Sequence, residues 1–370
     1  MAKVLTKPSR TTRAGVVLIS VTALAVALPV AAVRRSPIHG APLHVVLCML
    51  LALVGLAVGT RVSATLTAAA GAAGAAVTAW LFTQTSYPGA VDVLAAPFGL
   101  FTGLAAAPFL PASVRGHARA ARPLLQPAAL GLTAVVLGFA VFWTGSTNPR
   151  VEWFGELHSH GNRSQNLVAI TFDDGPNPDG TLAVAQILDE HDAKGTFFEV
   201  GKAVVQRPDI SRALLDDGHV VGNHSYLHDA VRYLDPRYPE LDRAERAIAE
   251  NTGVCPALFR PPHGTHTPFM SRAVTSRGMN LVTWDVSAQD WVENDPARLA
   301  ANILAEVRPG SIILLHDGLD GNIPADRSVV VKALPAILDG LKARGLTPVT
   351  LDALLGVPAY LPDSQCARYR

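Results

Sequence analysis

Acidic side chains are nearly missing from the first 150 of the 370 residues: Asp92 is the sole carboxylate there, against eleven Lys and Arg. Over the whole chain charged residues reach only 16 %, where soluble globular proteins carry about 25 %. Hydrophobic residues make up 49 %, which excludes a disordered or fibrous chain. Cysteine is scarce too. Cys48, Cys255 and Cys366 are the three, and none belongs to a CxxC pair, so nothing supports a thiolate zinc site. Residues 151–370 hold 29 acids against 20 Lys and Arg. That balance argues against nucleic acid as a partner, since nucleic acid calls for a basic patch.

Five runs, 15–33, 43–60, 62–84, 93–110 and 124–144, contain no Asp, Glu, Lys or Arg. Each approaches the ~20 apolar residues that cross a hydrocarbon core. Residues 1–144 therefore read as an all-α transmembrane region of about five helices, in contact with the lipid bilayer. The first run could also serve as a signal peptide, with Val30-Ala31-Ala32 as a loose cleavage site. Lys3, Lys7, Arg10, Arg13, Arg61, Arg115, Arg119 and Arg122 fall on one side of such an array, and Arg34 and Arg35 on the other. Eight against two places the N-terminus in the cytoplasm and residues 151–370 outside. Charges inside the membrane mark ion or substrate pathways, and their absence speaks against a transporter. Gly99 and Gly103 form a GxxxG, and Gly71 with Ala75 a small-xxx-small pair. Both permit self-association without requiring it.

Residues 145–166 turn polar and read as an extracytoplasmic linker. Beyond them short apolar runs alternate with longer periodic segments. Strands are expected over 167–172, 196–200, 281–284 and 311–315, and helices over 181–192, 203–216, 238–251, 296–307 and 327–344. This alternation predicts an α/β fold with a parallel sheet, as a barrel or an open sheet. Functional groups of such folds collect at the C-terminal strand ends, and Asp173, Asp174, Asp285 and His316 stand at those ends here. Cys48 lies in a span and reads as an apolar filler. Cys255 and Cys366 lie outside, where they are either a disulfide or two separate thiols.

The chemistry concentrates in five short motifs. Thr171-Phe172-Asp173-Asp174-Gly175-Pro176 ends a strand in two carboxylates, in a pattern unlike an EF-hand. His224-Ser225-Tyr226-Leu227-His228 sets two imidazoles four residues apart at the start of a loop or a helix after the strand-like 218–223; on a helical turn they would share one face. With one Asp they would suit a catalytic zinc or another divalent metal that keeps open positions. In Arg260-Pro261-Pro262-His263-Gly264 the guanidinium can clamp a carboxylate. Asp290-Trp291 and Leu314-Leu315-His316-Asp317 complete the set.

Taken in order, TFDDGP, HSYLH, RPPHG, QDW and LLHD resemble the polysaccharide deacetylase family, carbohydrate esterase family 4 with its nodulation-protein-B homology domain. The resemblance covers roughly residues 164–355, which gives a catalytic domain over 167–355 and a tail over 356–370. It implies a deformed (β/α) barrel of seven or eight strands. It also implies Asp173 as general base, Asp174, His224 and His228 as ligands of a divalent metal (Zn2+ foremost), and His316 as general acid. Arg260 would hold Asp173, Asp290 would tune His316, and Pro262 and Trp291 would line the sugar groove. At His263 many members carry Tyr; the family uses the backbone N–H there, but the groove wall differs. The implied activity is hydrolysis of N-acetyl groups on peptidoglycan- or chitin-like glycans. The same site could act as an O-acetyl esterase, and a fold that had lost its metal ligands would be an inactive glycan-binding module. All three candidate ligands are present.

Overall fold

Strand β1 (Leu167–Asp173) is buried along nearly its whole length, as expected of a parallel strand covered on both faces. Its side chains alternate between two environments. Val168, Ile170 and Phe172 pack outward into the main apolar cluster, while Ala169 joins a second cluster on the inner face. Period-two alternation then turns Thr171 and Asp173 inward as well. β7 (Ile312–His316) repeats the pattern, with Ile313 and Leu315 outward and Ile312 inward.

The computed structural model describes residue 142 and residues 145–229 and 235–369. Apart from Phe142, the five expected spans lie outside the described residues, as do Cys48, Gly71, Ala75, Gly99 and Gly103. Among the described residues no helix is long and apolar enough to cross a membrane.

The remaining strands are β2 (Thr196–Glu199), β3 (Val220–Asn223), β4 (Leu258–Phe259), β5 (Asn280–Leu281), β6 (Val286–Ser287) and β8 (Thr347–Val349). They form one eight-stranded sheet in the order β5-β4-β3-β2-β1-β7-β6, with β8 paired to the start of β1. Every ladder is parallel. The sheet curls into a half-barrel whose end strands, β5 and β6, are parts of a single stretch, residues 280–287. The expected barrel is thus realised as an open curl of eight strands.

Helices α1 (Gly180–Glu190), α2 (Gly201–Gln206), α3 (Pro208–Asp216), α4 (Pro239–Thr252), α5 (Pro268–Thr275), α6 (Pro296–Glu306) and α7 (Ser328–Ala343) accompany it. Short helices α8 (Leu351–Leu355) and α9 (Asp363–Cys366) follow. α1, α6 and α7 supply Leu188, Ile303, Leu334 and Ile337 to the main cluster, each worth roughly 1.5–3 kcal/mol when fully buried. The expected helix over 203–216 divides at Pro208, whose ring and missing N–H suit a first helical position and not an interior one. α5 was not foreseen, although Thr267 caps it by accepting the Met270 N–H and Pro268 opens it.

Residues 145–166 lie along the curl. His158 bridges Val282, His160 bridges Ser311, and Thr283 donates its hydroxyl to the Pro149 carbonyl. The C-terminal residues also pack. Tyr360 bridges Pro256, and Leu361 and Tyr369 join a cluster with Phe259 and Met270. Cys255 and Cys366 are bonded, their Cα atoms 5.6 Å apart and 111 residues apart in sequence. By the chain-entropy model, closing so long a loop disfavours the unfolded state by roughly 4–5 kcal/mol.

Candidate active site

Strand register assembles the site. β1 and β7 pair residue for residue, so Asp173 lies opposite His316, both on the inner face. Asp174 follows β1, His224 follows β3 and Arg260 follows β4, so the C-terminal edge of the curl gathers groups far apart in the chain.

Asp174, His224 and His228 form a cluster whose candidate ligand atoms all lie within 4.8 Å of one another. The Asp174 Oδ1 is 3.2 Å from the His228 Nε2 and 3.6 Å from the His224 Nε2. That oxygen is buried and accepts no hydrogen bond from the described residues. Leaving a buried acceptor unsatisfied costs about 1–3 kcal/mol, a cost that a cation between these three groups would relieve. The donor set of two imidazoles and one carboxylate fits a divalent metal with positions left open for substrate and water.

The two imidazoles do not sit on a helical turn. Residues 224–228 are a loop in which Ser225 and His228 take left-handed φ values of 67° and 58°. Local hydrogen bonds fix this shape: Asn223 Oδ1 accepts the Ser225 N–H at 2.9 Å, and Ser225 Oγ accepts the His228 N–H at 3.1 Å. The ring centroids end 5.0 Å apart. His224 donates its Nδ1–H to the Arg260 carbonyl at 2.7 Å, which turns the Nε2 lone pair towards Asp174. Burial holds the His224 imidazole well below its usual range, in the neutral form a metal requires.

Arg260 is fully buried. It donates to the Asp173 Oδ1 and the Thr171 hydroxyl, each at 2.7 Å, and to the Thr283 carbonyl at 3.0 Å. Its guanidinium lies over the Phe198 ring, 4.2 Å from the centroid. Burial raises the Asp173 carboxyl above its ordinary value, and the charges of Arg260 and His316 oppose that rise. The result is a carboxylate clamped on one oxygen, with Oδ2 turned towards His224 at 3.7 Å.

His316 is held twice by one carboxylate. Its N–H and its Nδ1 both meet Asp290, at 2.9 Å each. Burial disfavours the charged imidazole, but Asp290 beside it, with Asp174 and Asp173 beyond, lifts the pKa to about 9. Below that value the ring carries a proton it can deliver; above it the proton is lost. For a reaction that needs this proton, Asp290→Asn should lower the His316 pKa and move the alkaline limb of the pH–rate profile to lower pH by about 1–3 units. An unmoved limb would remove Asp290 from that role. Trp291, 44 % exposed, sets its ring edge-on to His316 at 5.3 Å. Pro262 is buried in a 3₁₀ turn, Pro262–Gly264, and exposed His263 brings its ring to 4.8 Å from that of His228.

Asp285 belongs elsewhere. It accepts the Ile312 N–H at 2.8 Å and pairs with Arg163 at 2.7 Å, at the start of β7. The strand expected over 281–284 stops at Leu281, and a second short strand, β6, follows Asp285, so Asp285 lies between the two and Asp290 comes just after the later one. Thr171 and Asp320 also belong to the site, through Arg260 and His228 respectively. The alternation that turns Asp173 inward could have found Thr171. Asp320 pairs with the His228 Nδ1 at 2.8 Å, and nothing in the turn-like sequence around it signals that contact.

Fold and site together place the chain in the polysaccharide deacetylase family, and the family's sequence profile matches residues 160–282. The chitooligosaccharide deacetylase of Azorhizobium caulinodans is 35 % identical over 192 residues, covering 50 % of this chain and 91 % of that protein. The peptidoglycan-N-acetylglucosamine deacetylase of Listeria monocytogenes is 30 % identical over 196 residues, 52 % of this chain but 40 % of that longer protein. A crystal structure of a peptidoglycan N-acetylglucosamine deacetylase, solved with a benzamide ligand, superposes with a TM-score of 0.52 at 29 % identity. It covers 55 % of this chain and 94 % of that one.

Proposed function

We propose that the chain removes acetyl groups from N-acetylglucosamine polymers, peptidoglycan- or chitin-like, with a divalent metal, Zn2+ foremost, held by Asp174, His224 and His228. The observation that carries this reading is the buried, unsatisfied Asp174 oxygen that both imidazoles approach, next in sequence to Asp173, which lies opposite His316 in the ladder. The names of the relatives support the substrate class. When bound, the metal would polarise the acetyl carbonyl and acidify water.

Within this reading each residue has a physical task. Asp173, held by Arg260, takes the proton of the attacking water. The backbone N–H of His263 meets the oxyanion that develops on the carbonyl oxygen. His316, with Asp290 on its Nδ1, gives a proton from Nε2 to the departing amine, which leaves poorly otherwise. Trp291 offers an exposed aromatic face to a sugar ring. Acetate release measured on a panel of N-acetylglucosamine oligomers and O-acetylated xylan tests the assignment. Release from the N-acetyl substrates is expected. Release from the O-acetyl ones alone would replace this reading with an esterase, and none from either would leave a binding module.

We further propose that residues 1–144 anchor the chain in the cell membrane with the deacetylase unit outside, supported by the five uncharged runs and the bias of basic residues. A reporter fused after Arg370 should be active outside the cytoplasm, and one fused near Arg119 inside. A C-terminal reporter active solely in the cytoplasm would defeat both the topology and access to wall glycans.

A further inference from the structure

The loop that follows β7 crosses the site. Asp317 and Gly318 donate their N–H groups to the Asp173 carbonyl, and Gly321 donates to the Asp174 carbonyl at 3.2 Å. Between these anchors Asp320 takes a left-handed φ of 50°, which Asp tolerates better than most residues. That turn brings its Oδ1 to 2.8 Å from the His228 Nδ1. The other imidazole of the cluster is anchored by a backbone carbonyl; His228 is anchored by a carboxylate from a different loop.

We propose that Asp320 is a positioning residue for the metal. It holds the proton of His228 on Nδ1, turns the Nε2 lone pair towards Asp174, and so strengthens metal binding without touching metal or substrate. The proposal rests on the metal reading of Asp174, His224 and His228. Its physical basis is general: a carboxylate on the far nitrogen of a ligating imidazole fixes tautomer and orientation and raises basicity, and removing such a partner typically weakens metal binding 10–100-fold. His316 ends β7 where this loop begins and Asp320 stands four residues on, so the proton donor and the support of a metal ligand come from one connected stretch. Nothing in a side chain 52 % exposed is needed for the core.

The test measures Zn2+ affinity of the purified full chain by competition with a chromophoric chelator. Asp320→Gly removes the carboxylate while relaxing the left-handed backbone, and Asp320→Asn keeps a hydrogen-bond acceptor without the charge. We expect Zn2+ to bind 10–100-fold more weakly to Asp320→Gly, with Asp320→Asn in between. The visible spectrum of bound Co2+ should also shift in both. At saturating Zn2+ the acetate-release rate of Asp320→Gly should return to near that of the parent. Parent-like affinity and Co2+ spectrum in Asp320→Gly, while His228→Ala loses binding, would overturn this inference alone. A parent chain that binds no Zn2+, or a His224→Ala that binds it as well as the parent, would instead overturn the metal reading beneath it.

Discussion

Asp173→Asn should lower acetate release by about 10²–10⁴-fold on amide and ester substrates alike, the range lost when a positioned general base is removed. The substitution keeps the shape of the side chain, and an amide oxygen can still accept from Arg260. It cannot accept the proton of water. Arg260 loses its counter-charge in a fully buried setting, so stability will also fall; breaking a buried pair costs about 3–5 kcal/mol when no acceptor remains. Here the Thr171 hydroxyl and the Thr283 carbonyl remain as acceptors, which should keep the loss smaller. A thermal melt taken alongside the kinetics separates the two effects. Parent-like turnover in folded Asp173→Asn would show that the base lies elsewhere.

His316→Ala should divide substrates by leaving group. An amine departs only when protonated, whereas an alkoxide needs less help. The loss is expected at about 10²–10⁴-fold on an N-acetylglucosamine oligomer and clearly less on an O-acetyl ester. Deacetylation of the oligomer at the parent rate by a folded, metal-loaded His316→Ala would end its assignment as general acid. Equal losses on both substrates would point to a role in binding or in holding Asp173 across the ladder.

These residues differ in how far the chain announces them. β1 and β7 are apolar runs that end in Asp173 and His316, because parallel strands buried on both faces tolerate a polar side chain only where the strand opens onto a site. The order of the motifs then brought Arg260 and Asp290 into view by resemblance. Other features depend on backbone conformation and have no periodic signature. His224 and His228 converge through two left-handed residues, where helical spacing would have placed them by a different geometry. Asp285 reads as a strand-end residue because Trp284-Asp285 interrupts the apolar pattern, yet it sits between β5 and a further strand, β6, which pairs with β7. Asp320 contacts His228 across 92 positions of sequence through a turn, a kind of contact that local composition does not encode.

The purified chain should release acetate from an N-acetylglucosamine oligomer through a divalent metal held by Asp174, His224 and His228. Acetate release should therefore be followed while Zn2+ is stripped with dipicolinate and then titrated back. The rate should fall as the metal is removed and return as one equivalent of Zn2+ is restored, and His224→Ala should show no such recovery. A stripped chain that still releases acetate at the full rate would contradict this metal dependence.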